Sequence, residues 1–365
     1  MAAEHSRKEI AMTLPITMVA QKPVHVGKVL RPDQPAAILD WVKGLGEKGT
    51  IVFLDTPSTE PLRLLVENLV AADYEVIVVD HHDVEGIPAN PRQVQIRAAA
   101  DGIRALIGAN ARISDRTAHP ACSLLVTAGE FAGALAIICD DDPDGWMTTL
   151  KGLARMGSLA ATFDHDSAVL DGPRTQRHQA SPMAQLLSQC FVSLPAFDPA
   201  KPDERQRLLL QVFTDFDAAI HGETWALDRL EAQRRVYEAN VATSQRLADG
   251  AEFIAAGVVL VNVGNEDYDI GTLEELLARR DGVKVTVTRK LKGPIAEHHG
   301  EQVTLKVGDA HKAAINLQDF LPPGWTTSSP QSGVISNLTF MLHVSGKIWD
   351  ETVRDAVVGR FGSVS

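Results

Sequence analysis

Val76-Ile77-Val78-Val79-Asp80-His81-His82-Asp83 decides the reading of this chain. Four consecutive β-branched residues favour extended backbone, and an apolar run without polar alternation belongs to a strand covered on both faces, as in parallel sheets. The run stops at an acid and two adjacent imidazoles. Open α/β sheets place their sites beyond the carboxyl ends of such strands, which makes Asp80, His81 and His82 candidates for catalysis or metal binding.

Two further runs end in the same way. Ile51-Val52-Phe53-Leu54 stops at Asp55, and Ala134-Leu135-Ala136-Ile137-Ile138-Cys139 stops at Asp140-Asp141-Asp142-Pro143-Asp144-Gly145. Strand ends far apart in sequence become neighbours in a parallel sheet, so these acids are expected to gather at one edge. That many carboxylates do not stay ionised together without a cation. Hard oxygen donors with one or two imidazoles suit manganese or magnesium better than a closed zinc site.

These residues resemble the DHH phosphoesterases, a family that includes RecJ-like exonucleases, nanoRNA and cyclic-dinucleotide hydrolases, and manganese pyrophosphatases. Asp80-His81-His82 matches the family's name motif, and Leu54-Asp55-Thr56 looks like the motif that precedes it. Family members usually begin with His-x-Asp-x-Asp-Gly on an early strand. Before Asp55 this chain offers only His25 and Asp33, at the wrong spacing, whereas Asp140 to Trp146 looks like that first motif with Asp140 in place of the His. Either the motif order is permuted or one acidic loop serves two purposes. Permutation is preferred, because a sheet closes the same site whichever strand comes first.

The resemblance covers the first half of the chain well and the rest loosely. It implies two divalent ions, Mn2+ or Mg2+, held by Asp55, Asp80, His81, Asp140, Asp142 and Asp144. His81 is then a direct ligand, His82 faces the scissile phosphate, and Asp80 coordinates or orients its neighbours. It also implies a short nucleotide substrate: an oligonucleotide end, a cyclic dinucleotide or a nucleoside bisphosphate. Pyrophosphate fits less well, since so small an anion calls for many basic side chains.

Around these strands the pattern is strand, helix, strand, helix, the signature of a doubly wound α/β layer. Helices are expected over 34–45, 60–72, 93–106 and 121–128, with a loop over 114–120. Asp198-Pro199-Ala200-Lys201-Pro202-Asp203 marks a boundary. Residues 1–195 then form a DHH-type parallel sheet domain. A helical connector with helices over 204–219 and 224–248 fills 196–252, and 253–365 forms a smaller α/β unit similar to the DHH-associated substrate domain. Strands are expected over 257–263, 283–288 and 303–307, with a helix over 272–279. The small polar loop Ser328, Ser329, Gln331, Ser332 and Gly333, with Asn337 and the basic Arg289, is the candidate substrate-binding surface. The long helices also suit a homodimer interface.

Other clusters have plainer readings. Asp140, Asp142, Asp144 and Gly145 begin like an EF-hand loop, but Lys151 stands at the twelfth position and a strand precedes the loop. Phe163-Asp164-His165-Asp166 reads as a polar turn rather than a further ligand cluster, and Glu297-His298-His299-Gly300 as a hairpin turn. Arg289, Lys290 and Lys292 suit a phosphate-binding edge or a solvated face.

Composition agrees with a two-domain enzyme. The chain has 365 residues, 45% of them hydrophobic, enough for two cores. Its 3 cysteines are too scattered for a disulfide framework. No signal-peptide pattern and no apolar stretch of spanning length is present, so the cytoplasm is the expected compartment and no membrane partner is expected. The net charge of −12 counts against a groove for long duplex nucleic acid but not against a short or single-stranded substrate. The expected activity is metal-dependent hydrolysis of a phosphodiester bond. The alternative is a catalytically degenerate DHH-like scaffold that binds nucleic acid or a protein partner.

Overall fold

The computed structural model describes residues 14–30, 32–83, 91–172, 174–195, 201, 204–264, 266–290, 302–311, 314–320, 337–341 and 353–363. The chain is mixed α/β, built on a parallel-rich sheet of six strands and a second sheet of five. In the first sheet the spatial order is β1 (Ile16–Val19), β2 (Lys22–Val26), β6 (Ala136–Cys139), β3 (Thr50–Leu54), β4 (Glu75–Asp83), β5 (Ala111–Asp115). Only β1 runs antiparallel to its neighbour. The last strand of this sheet in chain order is thus inserted between its second and third.

Register then aligns the strand ends. Cys139 of β6 pairs with Val26 on one side and Leu54 on the other, and Leu54 pairs with Val79 of β4. The residues that follow this row are Gly27, Asp140, Asp55 and Asp80, at one level on adjacent strands about 4.8 Å apart.

Alternating side chains feed two cores. Ile51, Phe53, Val76, Val78 and Ile138 pack against α1 (Gln34–Gly44), α2 (Glu60–Ala71) and α3 (Pro91–Ile107) through Ile38, Val42, Leu65, Leu69 and Ile103. Val52, Leu54, Val79, Ile137 and Cys139 face α4 (Pro143–Gly152), α5 (Phe163–Asp171), α6 (Pro182–Val192) and α7 (Glu204–Ile220). Trp146 of α4 stacks on Phe213 of α7 with ring centroids 4.5 Å apart, which fixes α4 over the sheet. The 26-residue α8 (Thr224–Asp249) serves both sheets: Ala226 and Leu230 lie in the first core, Leu247 and Ala248 in a core of the second.

The second sheet has the order β11 (Asn337–Met341), β10 (Gln302–Val307), β9 (Val285–Lys290), β8 (Val258–Val263), β7 (Glu252–Ala255). Its β8 and β9 are parallel, joined by α9 (Ile270–Ala278), and its other pairs are antiparallel. One face is covered by α10 (Arg354–Phe361) through Val353 and Val357, the other by α9 through Leu273 and Leu277. No helix among the described residues is long and apolar enough to cross a membrane.

Several sequence expectations need correction. The helix expected over 121–128 is a single 3-10 turn, Cys122–Leu125, followed by extended backbone at Val126. The Cys122 N–H donates to the Asp144 carboxylate, a tertiary bond that takes the place of a helical one. The loop expected over 114–120 begins inside β5, which ends at Asp115. Phe163 to Asp166 is the first turn of α5, not a free turn: Asp166 is buried and accepts bonds from the Thr162 hydroxyl and the Ser181 N–H, while Asp164 pairs with Lys151. Glu297 to Gly300 lies outside the described residues, between the antiparallel neighbours β9 and β10.

Candidate metal centre

β3 delivers Asp55 with a left-handed backbone, φ +58°, and its N–H donates to Val79 O at 2.8 Å. A non-glycine residue in this region costs on the order of 1 kcal/mol, tolerated where the surroundings require it. Asp55 is fully buried and neither carboxylate oxygen accepts a hydrogen bond.

β4 does not stop before the Asp-His-His triplet, as the sequence suggested, but runs through it to Asp83 with a register shift between Asp80 and Asp83. Along a strand, residues two apart share a face, and Asp80 meets His82: Oδ1 accepts from His82 Nδ1 at 2.7 Å, while Oδ2 accepts from the Ser58 hydroxyl at 3.3 Å. Asp80 belongs to none of the close donor groups among the described residues and is placed to orient His82.

His81 points elsewhere. Its Nδ1 lies 3.0 Å from the carbonyl of His119, which only accepts, so Nδ1 carries the proton. Burial, and then His82, lower the pKa of His81 and keep the ring neutral. Nε2 is therefore a bare lone pair. It lies 3.1 Å from Asp55 Oδ1, 3.5 Å from Asp144 Oδ2 and 3.9 Å from Asp171 Oδ2, and makes no hydrogen bond.

β6 and α4 supply the remaining acids. Asp140 is buried, takes the Asp141 N–H on Oδ1, and presents Oδ2 to Lys28 Nζ at 3.2 Å. Asp142 caps α4 by accepting the Gly145 N–H at 2.9 Å, with Pro143 at the first helical position. A Cβ at position 145 would lie 2.8 Å from Asp140 Cβ, so only glycine lets the helix close on that carboxylate. Asp144 accepts the Cys122 N–H at 3.0 Å on Oδ2 and the Ser167 hydroxyl on Oδ1.

Three sets of donor atoms each lie within 4.8 Å of one another: Asp55, His81 and His82; His81, Asp144 and Asp171; Asp55, Asp140 and Asp142. Asp55 and His81 each belong to two sets, so the cluster has the form of two adjoining pockets. Burial first, then mutual repulsion, hold Asp55, Asp140 and Asp144 well above the usual carboxylate range. These buried groups are close enough to hold a metal ion.

Asp171, at the end of α5, escaped the sequence reading. The helical spacing of Phe163, Ser167 and Leu170, all buried, was the available signal that Asp171 continues a face turned toward the site. Arg116 was also missed: its Nη2 lies 2.8 Å from His82 Nε2 and 3.1 Å from Asp171 Oδ1.

On the second sheet, Arg289 lies within β9, opposite Val303 and Asn262. Asn337, expected in a loop, opens β11 and pairs with Lys306. Ser328, Ser329, Gln331, Ser332 and Gly333 lie outside the described residues. A cavity of about 360 Å³ opens between α6, α8 and α9, bordered by Gln185, Tyr237 and Thr272 among others, and none of the clustered acids or imidazoles lines it.

No protein-family model matches this chain, and no curated protein matches it. One solved structure, the crystal structure of an uncharacterized protein from Helicobacter pylori G27, is similar over 91% of this chain and 98% of its own at 10% identity. Its TM-score is 0.19, too low to establish a shared fold. The resemblance to DHH phosphoesterases rests on the motif residues alone.

Proposed function

We propose that this protein is a divalent-metal-dependent phosphoesterase, similar to the DHH family with permuted motif order, that hydrolyses a phosphodiester bond in a short nucleotide or single-stranded nucleic acid. The observation that carries the reading is the unprotonated Nε2 of His81, buried and aimed at oxygens of Asp55, Asp144 and Asp171. A lone pair facing ionised carboxylates across 3 to 4 Å is repulsive, and either a cation between them or a proton kept by one of these buried carboxyls relieves it; the number of acids gathered here favours the cation.

Asp55, His81, Asp144 and Asp171 would hold one ion, and Asp55, Asp140 and Asp142 a second. The oxygen-rich donor set favours Mn2+ or Mg2+. Bound there, a divalent ion supplies a nucleophile at neutral pH and offsets charge on the phosphoryl oxygens. The chain's own groups do the rest. His82, its Nδ1–H fixed on Asp80, keeps Nε2 as a proton acceptor at the solvent side of the cluster, where its side chain is 17% exposed. Arg116, half-exposed, has donors to spare for a non-bridging oxygen and can leave His82 and Asp171 to reach it. Ser167 and the Cys122 N–H fix both oxygens of Asp144 from behind.

The test is a screen of purified protein with Mn2+ against short RNA, short DNA, cyclic dinucleotides and pyrophosphate, beside His81→Ala. Manganese-dependent turnover of a nucleotide substrate that His81→Ala abolishes is the expected result. Undiminished turnover in that variant would sink the mechanism. The competing reading, a binding scaffold without turnover, is favoured by Asp140 with its Lys28 partner in place of an imidazole and by the permuted motif order; hydrolysis of any substrate in the panel removes it.

A further inference from the structure

Lys28 enters the carboxylate cluster from a strand that the motif residues do not include. β2 runs beside β6 and leaves the sheet where Asp140 does; the Gly27 N–H donates to Cys139 O at 2.8 Å. Gly27 has φ +153°, which favours glycine. The loop beyond it is pinned at three points. Gln34 donates to Lys28 O at 3.0 Å and accepts from the Leu30 N–H at 2.7 Å, while the Thr59 hydroxyl donates to Val29 O at 2.6 Å. A fixed backbone therefore delivers the ammonium.

Its target is the oxygen a metal needs. Asp140 Oδ1 is engaged by the Asp141 N–H, so Oδ2 is the donor left for an ion, and Lys28 Nζ sits on it at 3.2 Å. In the adjoining pocket of His81, Asp144 and Asp171 the nearby cation, Arg116, sits on Asp171 Oδ1 at 3.1 Å, not on the Oδ2 that faces His81. Resting on the metal reading above, we propose that Lys28 is an internal counter-ion for the Asp55–Asp140–Asp142 pocket. The centre rests with one divalent ion on the His81 side, and the second binds firmly only when an anionic phosphoryl group draws the Lys28 ammonium off Asp140.

Two positive charges compete for one oxygen. A divalent ion and an ammonium on the same carboxylate repel at close range in a poorly solvated site. Lysine's flexible stem allows the ammonium to leave, and its side chain here is 34% exposed, so its tip has a path toward an incoming anion. No bond is made or broken in the exchange: the ammonium trades a carboxylate oxygen for a phosphoryl oxygen.

Mn2+ titration of the chelator-stripped full-length protein, followed by the electron paramagnetic resonance of free Mn2+, tests this with inorganic phosphate as the probe anion. Wild type should bind one ion tightly and a second at least about tenfold more weakly, with phosphate tightening the second alone. Lys28→Met should tighten the second ion by about tenfold and abolish the phosphate effect, whereas Lys28→Arg should keep the wild-type pattern. Lys28→Gln supplies the same measurement should the Met variant fail to fold. Two equal sites in wild type, or unchanged second-site affinity in the neutral variants, overturn the role of Lys28 and leave the metal reading standing. Absence of any bound ion in wild type overturns both.

Discussion

The two sheets of this molecule use the same scaffolding to opposite electrical ends. In the first, the aligned row Cys139, Leu54 and Val79 is followed on each strand by an aspartate, and Asp140, Asp55 and Asp80 are all fully buried. In the second, the parallel pair β8 and β9 ends with Asn262 opposite Arg289 and Val263 opposite Lys290, and both basic residues are half-buried. Buried acids without water raise one another's pKa and call for a cation. Half-buried bases keep part of their hydration and need no such counter-charge to stay ionised. The apolar interiors are alike, with valine, isoleucine and leucine alternating between two helical layers, so the division of labour lies in the residues just past the last core position. All close groups of acids and imidazoles among the described residues belong to the first sheet.

The largest effect should come from breaking the acidic edge. His81→Ala is expected to weaken Mn2+ binding by about 100-fold or more, measured by titration of stripped protein, with far-UV circular dichroism unchanged because the ring adds little to the apolar core. Next is the support behind the edge: Ser167→Ala removes a donor to Asp144 and should cost about tenfold in Mn2+ affinity. A third test addresses the basic edge. Replacing Arg289 and Lys290 together by Ala should raise KM for a nucleotide substrate several-fold, by about 1 kcal/mol of lost charge-assisted bonding, and leave Mn2+ binding untouched. A parallel loss of metal affinity would show that the two edges are not separate devices.

The smallest effect is also the most diagnostic of burial. Asp55 carries a carboxyl whose pKa is raised above the ordinary 3.8, first by burial and then by Asp144. Between 3.8 and the raised value the folded state holds more protons than the unfolded, so this group lowers stability as pH rises. Asn is nearly isosteric and tolerates a left-handed backbone. Asp55→Asn should therefore stabilise the metal-free protein by about 1 kcal/mol, or about 1–2 °C in Tm for a chain of this length, at pH 8, with the gain shrinking as pH falls toward 4. Mn2+ should no longer raise its Tm. On the other edge Lys290→Gln should change Tm little, within about 0.5 kcal/mol. Thermal melts in chelator across this pH range decide both.

The acidic edge was legible in the sequence because each strand is a short β-branched or aliphatic run with an acid at its end. Asp55, His81, Asp140, Asp142 and Asp144 could be assigned without coordinates, and they do converge. The strand beside Asp140 could not. β1 and β2 join through Ala20-Gln21, both with positive φ, a hairpin turn usually written with Asn or Gly. Without that signal β2 does not stand out in the sequence, and Lys28 is not among the expected site residues. β5 is five residues, Ala111-Arg112-Ile113-Ser114-Asp115, too polar to stand out from a loop. Arg116, which follows it, was lost with it. Asp171 and Asp80 teach the converse lesson: adjacency to a motif did not decide which carboxylate joins the close donor groups, because Asp80 is engaged by His82 and Ser58 whereas Asp171 arrives from a helix 88 positions beyond Asp83.

The insertion of β6 between β2 and β3 has a consequence for how the molecule is made. A ribosome releases β2 by residue 26 and β3 by residue 54, but the strand that joins them ends at residue 139. Throughout that interval the nascent chain carries two unpaired parallel edges, each able to template on any extended apolar segment. Translation of residues 55–139 is thus the stretch over which both edges stay open, and a chain truncated short of Ala136 would lack the strand that closes them.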